Sequence, residues 1–481
     1  MTEITKLAPE IVWRQFDAIT RIPRPSKKEG RMIEYLVAFA REHGLPCMQD
    51  AAGNVVIRKG ATKGMENRPT VTLQSHMDMV CEKRGDVAFD FEQDPIRAYV
   101  DDGWVKAEGT TLGADDGIGM AAALALLASG EIAHGPLEAL FTVDEETGLT
   151  GAFNLGEEMI SGRYLVNLDS EDEGEIFIGC AGGIDTVAVF PCGQEPLPAG
   201  YVVFRVELSG LKGGHSGDNI GDGLGNSNRL LARLVWLGME EYALRLARFE
   251  GGNLRNAIPR EAHTLLAIPR EREAEFRQAF ERFRQEIEAE YAETEPTLRL
   301  TLAPAEADRV LTSASARSLI YALVGLPNGV LAMSHAVPGL VETSSNLASV
   351  KFEEGNIVVT TSQRSSVESA KKAAARAVES VFALAGARVS HSDGYPGWTP
   401  NPHSHLLEVT TTCYRDLFGT EPKVRAIHAG LECGLFLERH PELEMVSFGP
   451  TLRGVHSPDE RLEIATVDRF WRLLVAVVQS L

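Results

Sequence analysis

A chain of 481 residues is too long for one ordinary hydrophobic core, so two domains are expected, each large enough to bury its own apolar interior. Acidic residues outnumber basic ones 68 to 47, a formal charge of -21, which favours solubility and disfavours nucleic acid or an anionic membrane as a partner. The six cysteines, Cys47, Cys81, Cys180, Cys192, Cys413 and Cys433, are scattered without a CxxC pair, which argues against a cysteine-ligated zinc site and fits thiols in a reducing cytosol.

Residues 1–16 mix Glu3, Lys6, Glu10 and Arg14 with apolar positions, so they lack the apolar core of a signal peptide, and no segment reaches membrane-spanning length. The expectation is a cytoplasmic enzyme. From Pro9 to Glu42 apolar residues recur at helical spacing with a break near Pro23 to Ser26, which predicts two opening helices over a sheet. Short apolar runs at Val71–Leu73, Ala139–Val143 and Tyr164–Leu168 predict strands, each ending in polar or acidic residues. Between the first two, Gly113–Gly117 reads as a loop entering a buried helix, Ile118–Leu127. Such alternation is that of an α/β domain, in which ligands collect beyond the carboxyl ends of strands.

After Gly182 and Gly183 the pattern changes to alternating strands such as Val202–Leu208 and charged amphipathic helices such as Glu271–Tyr291, which predicts a second domain. Its later part repeats a strand and helix plan, with helices near 314–324 and 367–384 and strands near 343–350 and 356–361. The Pro- and Gly-dense stretch Asp393–Pro402 marks the return to the first domain, followed by two helix and strand pairs and a final apolar-faced helix, Ala465–Leu481. The expected division is 1–185 with 396–481 as one discontinuous domain and 186–395 as an insertion.

Five clusters carry chemistry. In SHMDMV, His76 and Asp78 stand two apart at a strand end, so one can bind a metal while the other accepts the remaining imidazole N–H; HxD alone fits a core histidine as well. In TLGADDGIG, Asp115 and Asp116 precede a helix, where capping is at least as common as metal ligation. In VDEETG, Asp144, Glu145 and Glu146 form either a solvated loop or a pair of glutamates that divide ligation and proton transfer between them. Asp169 in NLDSEDEG and His456 in GVHSPDE each fit ordinary turn chemistry too. Their joint recurrence at strand ends of one domain favours a metal site, and oxygen and imidazole donors without sulfur suit catalytic zinc, manganese or cobalt.

These motifs, with GGHSG and HAGLECG, resemble in order and spacing the two-metal aminopeptidase and carboxypeptidase clan, and within it the aminoacyl-histidine dipeptidases of the peptidase D or bacterial carnosinase type, over essentially the whole chain. The resemblance implies a zinc-peptidase-like α/β catalytic domain, with a central mixed sheet flanked by helices, and an inserted α+β lid domain. It implies two divalent ions, zinc first with cobalt or manganese as alternatives: His76 and Asp169 on one, Glu146 and His456 on the other, Asp115 bridging. Glu145 becomes the general base toward a hydroxide shared by the two ions, and Asp78 the partner of His76. The bond after the bridging residue, here Asp115–Asp116, is commonly cis in the family, and Asp116 stands where the family more often has Asn.

From the lid, the resemblance implies that His215 stabilises the oxyanion, while Asn256 and Arg364 bind substrate, the arginine pairing with a peptide carboxylate. The implied activity is hydrolysis of dipeptides, with Xaa-His (carnosine-like) substrates foremost, by a metallopeptidase that can act as a homodimer. A tripeptidase, a carboxypeptidase or an N-acyl amino acid deacylase on the same site is the nearest alternative. A metal-free scaffold protein and a nucleotide-binding α/β enzyme are further rivals; the retained ligand set opposes the first, and the absence of a phosphate-cradling glycine pattern opposes the second.

Overall fold

The computed structural model describes residues 3–353 and 355–481. They form two compact units. The first comprises the chain up to Gly179 together with Pro400–Ala426 and Glu432–Leu481; the second is Cys180–Thr399 with Ile427–Leu431. The short segment Ile427–Leu431, which the sequence reading leaves in the first domain, clusters with the second because Ala181 N–H donates to the carbonyls of Ile427 and Ala429, at 3.1 and 2.9 Å.

Among the described residues, an eight-stranded mixed sheet organises the first unit. Its centre is four neighbouring parallel strands, in the order Leu137–Thr142, Val71–His76, Tyr164–Asn167 and Glu444–Ser447. Antiparallel strands flank them, Val55–Lys59 with Cys47–Gln49 on one side and Glu175–Cys180 on the other. Every residue of Val71–His76, Leu137–Thr142 and Tyr164–Asn167 is buried, as expected for parallel strands covered by helices. The helix Ala114–Ala128 packs on the strand Val71–His76, and Glu10–Thr20 packs on that helix.

The strand that begins at Val71 runs three residues beyond its apolar part, through Gln74, Ser75 and His76. Polar residues can continue a buried strand when their hydrogen bonds are satisfied. Gln74 is: its amide donates to Glu432 at 2.7 Å, and its Oε1 accepts from Asn167 at 2.6 Å. The helix predicted from Ile118 begins at Ala114, but Asp115 (φ -80°, ψ 116°) and Asp116 (φ -100°, ψ 38°) leave helical geometry within its first turn, so the glycine-flanked DD pair is the irregular entry.

In the second unit, among the described residues, a nine-stranded antiparallel sheet carries helices Ser227–Glu241, Glu273–Glu290, Ser313–Gly325 and Glu368–Leu384. One continuous apolar core lies between them, with Phe190, Phe249, Phe276 and Phe382 among its largest side chains. Two halves of the sheet meet through the strands Arg245–Gly251 and Val341–Glu353, paired at Gly251 and Val350. Among the described residues no helix is long and apolar enough to cross a membrane.

Candidate metal centre

The four parallel strands point the same way, so the segments leaving their carboxyl ends share one edge of the sheet. His76 is the last residue of its strand, Glu145 and Glu146 lie just past Thr142, and Asp169 follows two residues after Asn167. His456, in a left-handed turn (φ 61°), arrives from the segment after Glu444–Ser447.

These side chains converge on Asp115. His76 Nε2 lies 2.9 Å from Asp115 Oδ1 and 3.5 Å from Asp169 Oδ1. His456 Nε2 lies 3.2 Å from Asp115 Oδ2 and 3.0 Å from Glu146 Oε2. One carboxylate therefore faces two imidazoles, each through its own oxygen and each with a further carboxylate beside it. Donor atoms of His76, Asp115 and Glu146 lie within 4.8 Å of one another. The peptide bond Asp115–Asp116 is cis, the geometry the resemblance implied.

Electrostatics make this arrangement costly without cations. Burial drives the Asp169 carboxyl well above the usual carboxylate range; the Asp115 charge adds to the effect and His76 opposes it. Burial does the same to Glu145, reinforced by Asp169, Glu432 and Glu146 against His76, and to Asp116, reinforced by Asp169. Hydrogen bonding to Asp115 and Glu146 pushes His456 up to about 11. The Asp115 carboxyl goes the other way: burial would raise it, but the bonds to His456 and His76 hold it far below its ordinary value. So many acidic groups around two imidazoles call for positive charge, which divalent ions supply more fully than protons. The donor set of carboxylate oxygens and imidazole nitrogens fits such ions, and Glu146 Oε1 is buried with no hydrogen-bond partner, leaving a lone pair to ligate.

Asp78 organises the edge from below. Its Oδ1 lies 3.3 Å from His76 Nδ1 and accepts Glu145 N–H at 3.0 Å; its Oδ2 accepts Glu146 N–H at 3.2 Å and the Ser26 hydroxyl at 2.7 Å. Burial alone would raise this carboxyl, yet the contacts with His76 and Ser26 lower it to about 2, so it stays charged.

Four further residues of this unit escaped the sequence reading. Arg24 and Glu460 are buried and bonded to the backbone around Gly113; Glu432 is buried against Gln74 and Thr142; Ser26 holds Asp78. Only Glu432 and Glu460 lay inside quoted motifs, HAGLECG and GVHSPDE. Their place inside those motifs was the available signal.

His215, Asn256 and Arg364 belong to the second unit. There the short ribbon pairs Gly214 with Ile258 and His215 with Ala257, and Ser216 N–H donates to the Asn256 carbonyl at 2.8 Å. Arg364 Nη2 lies 3.5 Å from His215 Nε2, and its Nη1 donates to the Tyr395 hydroxyl at 2.9 Å. His215 Nδ1 accepts Asp218 N–H at 3.2 Å, so Nε2 is the ring nitrogen on the Arg364 side. His428 joins this group: its Nε2 lies 2.8 Å from Ser344 Oγ, and burial, with the Arg364 charge second, lowers it to about 4 and keeps it neutral. The sequence reading quoted the motif that holds His428 but gave the histidine no role.

The chain as a whole is similar to known proteins. Residues 72–480 match the pattern of Peptidase family M20/M25/M40. The chain is 44% identical over 482 residues to the cytosol non-specific dipeptidase of Escherichia coli, covering 100% of this chain and 99% of that protein. It superposes on the crystal structure of aminoacylhistidine dipeptidase from Vibrio alginolyticus with a TM-score of 0.94 at 45% identity, covering 100% of this chain and 98% of the other. Aminopeptidase PepT from Bacillus cereus shares the fold at 17% identity and a TM-score of 0.58, over 98% of both chains. A family pattern that spans residues 72–480, with relatives aligned over the whole length, has one reading: this chain belongs to peptidase family M20/M25/M40.

Proposed function

We propose that this chain is a cytosolic metal-dependent dipeptidase that uses two divalent ions, zinc first among them, and accepts Xaa-His dipeptides. The observation that carries the reading is the Asp115 carboxylate, whose two oxygens face His76 and His456 separately. Support comes also from the two relatives near 45% identity, one named as a non-specific dipeptidase and the other as an aminoacylhistidine dipeptidase.

In this reading His76 and Asp169 hold one ion, Glu146 and His456 the other, and Asp115 both. When bound, the ions polarise the scissile carbonyl and supply a water that ionises near pH 7, about nine units below bulk water. Glu145, adjacent to a ligand but bonded to Asp78 only through its backbone, has its carboxylate available to take the proton of the attacking water and pass it to the leaving amine. Asp78 keeps His76 oriented and its basicity high. His215 offers a donor for the developing oxyanion, and Arg364 with Asn256 holds the substrate, the guanidinium pairing with the carboxylate of the C-terminal residue. Their neighbourhood within the second unit supports treating them as one substrate-binding set.

The test is a substrate panel. Purified protein is stripped with a chelator, restored with Zn2+, Co2+ or Mn2+, and assayed on Ala-His-type dipeptides, other dipeptides, tripeptides and N-acyl amino acids. Metal-dependent cleavage of dipeptides with a free amino terminus is expected, strongest with C-terminal histidine. A preference for tripeptides or N-acyl amino acids would replace this assignment with one of its neighbours.

A further inference from the structure

The helix Ala114–Ala128 begins with a difficulty. The first four backbone N–H groups of a helix find no acceptor within it. Asp115 and Asp116 leave helical geometry, so the regular helix starts after them, and Asp116 Oδ1 caps it by accepting Gly119 N–H at 3.1 Å. The N–H groups of residues 112–115 lie ahead of that cap and need another acceptor. Asp115, the first of this pair, is of the same type, and its carboxylate could take up those loop amides in the same way. Instead both its oxygens face imidazoles.

The amides are satisfied from 345 residues away. Glu460 Oε2 accepts the N–H groups of Leu112 and Gly113 at 2.7 and 3.0 Å, and its Oε1 accepts Ala114 N–H at 2.7 Å, with Asp115 N–H at 3.4 Å. Glu460 is 3% exposed, and both of its oxygens are used in this way. On the carbonyl side of the same loop stands Arg24, 2% exposed. Its guanidinium donates to the carbonyls of Met77, at 3.1 Å, Asp78 and Gly113, joining the end of the His76 strand to the Asp115 loop. The seat is tight: a Cβ added at Gly113 would lie 2.7 Å from Arg24 Nη2 and 2.9 Å from Met79 Sδ, and one at Gly117 would lie 2.8 Å from the same nitrogen.

We propose that Glu460 and Arg24 are positioning residues that clamp the Asp115 loop before any metal binds. Glu460 takes up the N–H groups of the loop, leaving both oxygens of Asp115 free to bridge two cations, and Arg24 sets the distance between that loop and His76. The repulsion among Asp115, Asp116, Glu146 and Asp169 would otherwise open the site in the metal-free protein, and a guanidinium bonded to neutral carbonyls keeps its charge available to the surrounding acids. The proposal rests on the reading of Asp115 as the shared ligand.

Two measurements test it. Hydrogen exchange on the full-length wild-type protein, metal-free and Co2+-loaded, should find the amides of residues 112–115 equally protected in both states. Free exchange in the metal-free protein that slows only when Co2+ binds would overturn the clamp, since the metal would then be ordering the loop. Second, Co2+ titration of Glu460→Gln and Arg24→Lys, followed by visible absorbance with thermal melting alongside, should show at least a tenfold loss of affinity for one Co2+ and an altered ligand-field spectrum. Binding and spectra within twofold of the parent would overturn it too. Exchange protection needs no variant, so a variant that does not fold leaves the first measurement decisive. A parent that binds fewer than two Co2+ would instead break the di-metal reading, whatever the exchange result.

Discussion

Asp78 and Glu145 are joined by a backbone hydrogen bond of 3.0 Å, from the Glu145 N–H to the same Asp78 oxygen that lies 3.3 Å from His76 Nδ1. One carboxylate atom thus sets both a ligand imidazole and the turn that presents the proposed base. Asp78→Asn keeps an oxygen for the Glu145 amide but removes the charge beside the imidazole. Metal affinity and kcat/KM should each fall about 10- to 100-fold, the usual cost of losing a ligand's supporting partner. Chelator competition and steady-state kinetics measure the two, and a variant with parental metal affinity would show that Asp78 does not support His76.

Glu145→Gln isolates proton transfer from ligation. The amide is nearly isosteric and cannot accept the proton, so kcat should drop about 10²- to 10⁴-fold while metal content and KM stay near parental values. Retention of parental turnover would remove Glu145 as the base.

Because Asp115 pairs with both imidazoles, while Asp169 pairs with His76 and Glu146 with His456, their removal should differ in kind. Asp115→Ala should weaken both ions; Asp169→Ala or His456→Ala should weaken one. Metal stoichiometry by elemental analysis after gel filtration separates these cases. Equal single-ion losses in all three variants would deny Asp115 its shared role.

His428 gives a pH prediction in the second unit. Its folded-state value, about 4, lies below the unfolded 6.5, so the unfolded chain binds the proton more readily. The stability it contributes is therefore complete above about pH 6.5 and is lost as pH falls toward 4, by about 3 kcal/mol for this 6%-exposed ring. Urea unfolding of the parent and of His428→Gln across that window should show a difference that shrinks toward acid. A constant difference would contradict a neutral, buried imidazole.

Much of the fold was legible because it depends on local pattern. Apolar runs marked the parallel strands, and helical periodicity marked Glu10–Thr20, Glu273–Glu290 and Glu368–Leu384 within a residue or two. The pattern failed where buried polar groups satisfied one another. Gln74 belongs to a strand because Asn167 and Glu432 complete its hydrogen bonds, and neither partner is near it in sequence.

The same division runs through the metal centre. The motifs SHMDMV, GADDGIG, DEETG, NLDSE and GVHSPDE offered His76, Asp115, Glu146, Asp169 and His456 as candidates, and it was their resemblance to the two-metal peptidase clan, in order and spacing, that implied them as ligands. By itself, then, the sequence determined which elements form, the acidic surface charge and the side chains available for ligation. Only the tertiary structure decided that Glu460 takes up the N–H groups of the Asp115 loop while Arg24 braces its carbonyl side. Local capping is met by Asp116, which accepts Gly119 N–H, whereas the amides ahead of it find their acceptor at the far end of the chain, a partner that no local spacing encodes.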